Sequence, residues 1–215
     1  MLENVSIGVL LIRIAAAFCA LVLHEMVKAR CSTAMGDPTP KKSGLMSGNP
    51  FRYLEPIGFI VTIIFGLGWG RPTPTSPLYY KDRQKGILVT YLTPSLVNLF
   101  AGLVVAILGG VLYIAANQAI PNVLPIVTTI NTWILRFMSA FAHLSIAIAI
   151  FNMIPVPPLD AAKLLQAALS PSAAIKMTQN EKVLQLALML LMVMRIITDI
   201  IYSITRVLVN TAWFI

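Results

Sequence analysis

Charge is scarce in this chain. Of its 215 residues only 11% are charged and 58% are hydrophobic, with a mean hydropathy of +0.83, values that exclude an ordinary water-soluble domain. Acid is scarcer than base, with 8 Asp and Glu against 16 Lys and Arg and a formal net charge of +8. The bases gather between apolar segments instead of forming a folded basic face, a pattern that suits anionic lipid headgroups and not nucleic acid. Motifs for binding RNA or DNA, phosphate-cradling glycine loops and GxSxG elbows are all missing. Cysteine is nearly absent too: Cys19 and Cys31 make neither a CxxC pair nor a disulfide framework, which leaves two plain thiols. Residues 1–4 carry an acid and no base, and the apolar run behind them lacks a small-residue cleavage site before His24. That run reads as a retained transmembrane helix.

Long apolar runs are what the chain does have. They predict an all-α polytopic membrane protein, one membrane domain over 1–215, with four to six membrane segments and a short turn-rich or β-like membrane-associated stretch after the first helix. Residues 7–27 suffice to cross about 30 Å of hydrocarbon at about 1.5 Å per residue. Gly, Pro, Ser and Asn then dominate 28–56, a loop too polar to span. Residues 57–69 make a short or re-entrant span, 70–86 a basic loop, and 87–116 a span that Pro94 bends. Residues 124–151 form either one long helix or an interfacial piece followed by a span. A proline-broken segment and helix fill 152–169, and 183–209 is the last span, with Arg195 and Asp199 spaced to pair on one face. Arg13 and Arg136 lie near enough to segment ends to snorkel, and the methionines of the last segments read as packing. The loops flanking 57–69 are both basic, so the positive-inside rule alone leaves the orientation open. No soluble domain is expected, and there is no room for an appended peptide-binding module.

At the end of the first span stands His24-Glu25-Met26-Val27-Lys28. In an HExxH helix the two histidines sit at i and i+4 on one face, so both reach a single Zn²⁺ while the glutamate activates its water. Here Lys28 holds the second position, and an ammonium has three donors and no lone pair to give a metal. A catalytic zinc also needs a third protein ligand. Asp160 is the best candidate, because it follows Pro155-Val156-Pro157-Pro158, where regular helix is forbidden and the backbone is expected to be extended. A carboxylate placed there is costly in lipid and normally functional.

Together these residues resemble the site-2 protease family of intramembrane zinc metalloproteases. The run from Asn152 to Asp160 is similar to that family's NxxPxPPLDG motif. Gly36-Asp37-Pro38-Thr39-Pro40-Lys41, Asn49-Pro50, the segment from Gly68 to Pro74 and the segment from Thr93 to Leu99 resemble further family segments. The resemblance runs from about residue 10 to 169. It implies His24 and Asp160 as zinc ligands, Glu25 as general base, and Asn98 and Asn152 as polar groups near the site. The chain departs from the family at Lys28, and again at Ala161, where the family has glycine.

Three readings of the departure follow. In the first, Lys28 replaces the metal, its buried ammonium supplying positive charge to Glu25 and Asp160, since a buried carboxylate left unpaired is costly. In the second, His143 comes in as replacement ligand beside His24 and Asp160 and zinc is kept. In the third, Lys28 snorkels to the headgroups and the motif is an inert remnant. Cys31, at i+7 from His24, would share its face only if the helix continued. The favoured function is a non-peptidase or catalytically impaired homologue with no cofactor, which binds membrane lipids and the transmembrane segments of single-span proteins or signal-peptide-like helices. The alternative is an active intramembrane zinc metalloprotease with a non-standard ligand set, with Zn²⁺ as its cofactor. Transport through a polar interior marked by Asn98, Arg195 and Asp199 is a third class, although inverted repeats are lacking. The expected address is a bacterial cytoplasmic membrane.

Overall fold

The computed structural model describes residues 6–119 and 125–213, so the sequence reading of residues 1–4 and the first residue of the 124–151 segment lie outside the described residues. Helix α1 (Ile7–Ala34) starts at Ser6, whose hydroxyl accepts a hydrogen bond from the Val9 amide, and ends before Gly36. Gly36 adopts φ +111°, and a Cβ there would lie 3.0 Å from the Tyr79 carbonyl. Glycine stops the helix at that point because it alone takes the conformation cheaply. The helix thus runs seven residues past the span read from the sequence. Ala29, Cys31 and Ala34 extend it without a breaker, and Lys28 lies within it and not at the start of a loop.

The following stretch is turn-rich, with a short α2 (Thr39–Lys42) and 3-10 turns at Leu45–Ser47 and Pro50–Tyr53. Among the described residues there is no strand. Asp37 anchors this stretch: its carboxylate accepts from the Ser32 hydroxyl at 2.8 Å, the Ser76 amide at 2.7 Å, and the amide and hydroxyl of Thr39. Helix α3 (Pro56–Phe65) is capped by Glu55 and closed by Gly66 at φ +77°. Ten residues span only about 15 Å, too short to cross a bilayer.

Helices α4 (Arg83–Ala119) and α5 (Pro125–Asn152) pack most extensively on each other and both pack on α1. Pro94 is accommodated without interrupting α4, and α5 is one continuous helix. Close approach depends on small residues. Ala16, Ala17 and Ala20 of α1 pack in one cluster with Ala140 and Leu144 of α5, and a Cβ on Gly102 of α4 would come within 2.6 Å of Ile146. Gly8 lies against Trp133 near the starts of α1 and α5, so those two helices run parallel, while Gly102 facing Ala142 and Gly109 facing Met138 make α4 antiparallel to α5. The ends of α1 and α5 and the start of α4 therefore meet at one end of the molecule.

After α5, residues 153–158 form consecutive turns and bends, not the extended run expected over 155–158, while Leu159, which precedes α6, is extended. The amides of Val156, between the prolines, and Leu159, just after them, close short-range bonds to the Ile154 carbonyl at 2.8 Å and the Val156 carbonyl at 3.0 Å, which satisfies those two carbonyls locally. Helices α6 (Asp160–Ala168), α7 (Pro171–Gln179), α8 (Glu181–Val193) and α9 (Ile196–Trp213) complete the chain. The last span is broken: α8 and α9 meet at 63°, with Arg195 at φ +64°. The Arg195 carbonyl still accepts from the Asp199 amide at 2.9 Å, but Arg195 itself is left-handed, and the two side chains form no ion pair among the described residues. Helices α1, α4 and α5 are long and apolar enough to cross a membrane, and the bent pair makes a fourth crossing if counted as one span. That is the lower end of the expected range.

Burial by itself would raise the Asp37 pKa, but hydrogen bonds from Thr39, Ser76 and Ser32 outweigh it and hold the carboxyl below its ordinary value. Asp37→Ala should cost about 1–3 kcal/mol, read as a lower thermal midpoint in detergent. The stability that this carboxylate contributes should be complete above the unfolded pKa, about 4, and be lost as pH falls through the depressed folded value.

Candidate functional site

The second half of α1 carries three of the site side chains. His24 and Lys28, four apart, share a face, and Glu25 lies three residues before Lys28, so helical geometry alone brings the three together. Asp160 arrives from the first turn of α6, presented by the turns that follow α5. The Lys28 Nζ lies 2.7 Å from Glu25 Oε1 and 2.8 Å from Asp160 Oδ1. The other Asp160 oxygen, Oδ2, is 2.9 Å from His24 Nε2. None of the four residues is more than 5% exposed.

Thr73 completes the arrangement. Its amide and hydroxyl donate to Glu25 Oε2 at 3.2 and 2.8 Å, so both oxygens of Glu25 are held, one by the ammonium and one by Thr73. The sequence reading quoted the segment around Thr73 without giving this residue a role. The available signal was its position between Pro72 and Pro74, which keeps its N–H out of any helix and free for a side-chain acceptor. Gly70 lets the segment pass this close: a Cβ there would lie 2.6 Å from Glu25 Cγ and 2.9 Å from the Tyr53 carbonyl. That carbonyl also accepts from the Arg71 amide at 2.8 Å.

The remaining candidates divide. Asn152 is buried beside the cluster, its amide donating to the Ile148 carbonyl at 3.0 Å, and it lines a cleft of about 400 Å³ with Glu25, Lys28, Trp69, Tyr91 and Asp160. Asn98 is fully buried one turn earlier along α1, donating to the Ala20 carbonyl at 3.1 Å, and braces the helix without lining that cleft. His143 is not brought to His24 and Asp160. It lines a different cavity, its ring stacked on Tyr202 with centroids 6.3 Å apart. Cys31 lies within α1, half-buried as a free thiol.

These residues do not fit a zinc ion. The ammonium sits between the two carboxylates, where it opposes a second cation, and the imidazole and carboxylate expected to face a metal are bonded to each other. With Asp160 accepting, His24 Nε2 carries the hydrogen of that bond and offers no lone pair. Even with that bond broken, His24 and Asp160 would supply two protein donors where a catalytic zinc takes three. Among the described residues, no group of three His, Cys, Asp or Glu side chains is arranged to hold a metal. What the arrangement does chemically is offset charge in an apolar setting: one ammonium is shared by two carboxylates, and hydrogen bonds from His24 and Thr73 hold the oxygens it does not reach.

The sequence model of Peptidase family M50 matches residues 4–195. A protein of Bacillus subtilis (strain 168), "Putative zinc metalloprotease YwhC", is 30% identical over 163 residues, which cover 75% of this chain and 71% of that protein. No solved structure matches.

Lys28→Met would leave Glu25 and Asp160 buried without their cation. The expected loss is about 3–5 kcal/mol, measured by thermal or denaturant unfolding in detergent, whereas Lys28→Arg, which keeps the charge, should lose much less.

Proposed function

Because this integral membrane protein belongs to peptidase family M50 and holds an ammonium between its two site carboxylates, we propose that it is a non-peptidase member of the family. In this reading it keeps the membrane fold in order to bind transmembrane segments of partner proteins. The observation that carries the proposal is Lys28 Nζ, 2.7 Å from Glu25 and 2.8 Å from Asp160. An amine bonded in this way supplies one positive charge where a divalent metal would bring two, and together with Thr73 it engages both oxygens of Glu25. Loss of a ligand removes chemistry without removing a binding surface. The cleft beside Lys28 keeps Trp69, Pro72 and Tyr91 on its walls, groups suited to an apolar segment that has begun to unwind. Its partners are single-span proteins or signal-peptide-like helices, and its address is the bacterial cytoplasmic membrane.

The competing reading, an active zinc metalloprotease, draws on the retained His24, Glu25 and Asp160 and on the name of the Bacillus relative. Metal analysis of detergent-purified protein separates the two. Wild type should hold far less than one zinc per chain, and Lys28→His should approach one. A synthetic single-span helix with a signal-peptide-like core should bind wild type and Glu25→Gln equally and stay uncut. One zinc per wild-type chain, or cleavage lost in Glu25→Gln, would establish the protease instead.

A further inference from the structure

A second cavity, about 1010 Å³, is bounded by α1, the end of α3, α5 and α9. Its walls are mostly apolar, including Ile12, Leu135, Leu144 and Ile201, yet three arginines line it: Arg13, Arg136 and Arg195. A single carboxylate, Asp199, lines it with them. Among the described residues none of these arginines forms an ion pair. Arg13 has only the Ile64 carbonyl at 3.4 Å, and Arg136 lies 5.1 Å over the Trp133 ring. Thr198 lines the same cavity, is 7% exposed, and its hydroxyl has no hydrogen-bond partner. Arg13 stands eleven residues before His24, about 16 Å along the helix, so this cavity is separate from the Lys28 cluster.

Arg13 is half-buried, and Arg136 and Arg195 are exposed at the cavity's edge, so guanidinium groups that are charged at every accessible pH border an apolar space. An occupant that suits the cavity offers hydrocarbon to the walls and negative charge to these arginines. An anionic phospholipid does both. Guanidinium forks match phosphate oxygens, and basic pockets between membrane helices take acidic headgroups. A zwitterionic lipid would bring a fourth cation to a cavity already lined by three against one carboxylate. We propose that this cavity binds an anionic phospholipid, with its acyl chains along α1 and α5 and its negative headgroup attracted by the arginines that border the cavity.

Native mass spectrometry of the detergent-solubilised protein tests this, with phosphatidylglycerol and phosphatidylcholine added separately. Saturable phosphatidylglycerol binding should be roughly tenfold or more tighter than phosphatidylcholine binding. The preference should vanish in the double variant Arg13→Gln and Arg195→Gln, and survive in Lys41→Gln with Lys42→Gln, which alters the basic loop. Equal binding of the two lipids, an unchanged preference in the cavity variant, or equal loss in the loop variant would overturn the proposal. Competition by inorganic phosphate would likewise overturn it, by identifying a free-anion site. If the arginine variant does not fold, Ser139→Trp fills the cavity without altering charge. It should lower phosphatidylglycerol occupancy to a similar extent, and undiminished occupancy would count against the assignment. Zinc content plays no part in these readouts, so this proposal and the non-peptidase reading fail separately.

Discussion

A single ammonium, bonded to two carboxylates from different helices, organises the interior of this protein. Glu25 comes from α1 and Asp160 from α6, 135 positions later in the sequence, and neither would be tolerated in so buried a place without a cation. Lys28 satisfies both, and the Asp160 oxygen that it leaves over is bonded to His24. The interaction therefore ties α6 to α1 as well as offsetting charge. A well-packed apolar replacement of such a cluster could be equally stable, so the cluster is not explained by a gain in stability.

The surrounding fold is what allows the cluster to close. Alanines of α1 and Gly102 of α4 bring three long helices together closely enough to bury polar groups between them. Gly36 ends α1, and the Asp37 network then turns the chain back so that the 70–76 segment lies across Glu25. Gly70 grants the clearance and Thr73 the donors. At the end of α5 the prolines interrupt the helix, and the turns they impose deliver Asp160 at the start of α6. Each of these steps is a local backbone rule, yet together they assemble one site from distant parts of the chain.

Much of this was legible in advance. Hydropathy located the long helices, and the spacing of His24, Glu25 and Lys28 placed all three on neighbouring faces of one helix. The proline run marked Asp160 as a residue held at a break. The helix ends were less legible, because α1 continues through residues with no strong breaker until Gly36. So was the bend in the last span: Arg195 and Asp199 have helical spacing, and nothing in their neighbours announces a left-handed residue at 195. Thr73 was hidden for another reason, since a hydroxyl in a proline-rich loop carries no periodic signal.

By itself the sequence determined that the chain lives in a membrane, that it carries the segments of an intramembrane metallopeptidase family, and that an amine stands where an imidazole ligand belongs. Those are properties of composition and short spacing, which survive without knowledge of any contact. Only the tertiary structure decided which groups the amine meets, that His24 turns to Asp160 while His143 faces another cavity, and that three arginines of distant segments line one apolar chamber. Such outcomes depend on how helices far apart in sequence pack and where they bend, and the packing is set by many small steric fits that no single stretch of residues encodes.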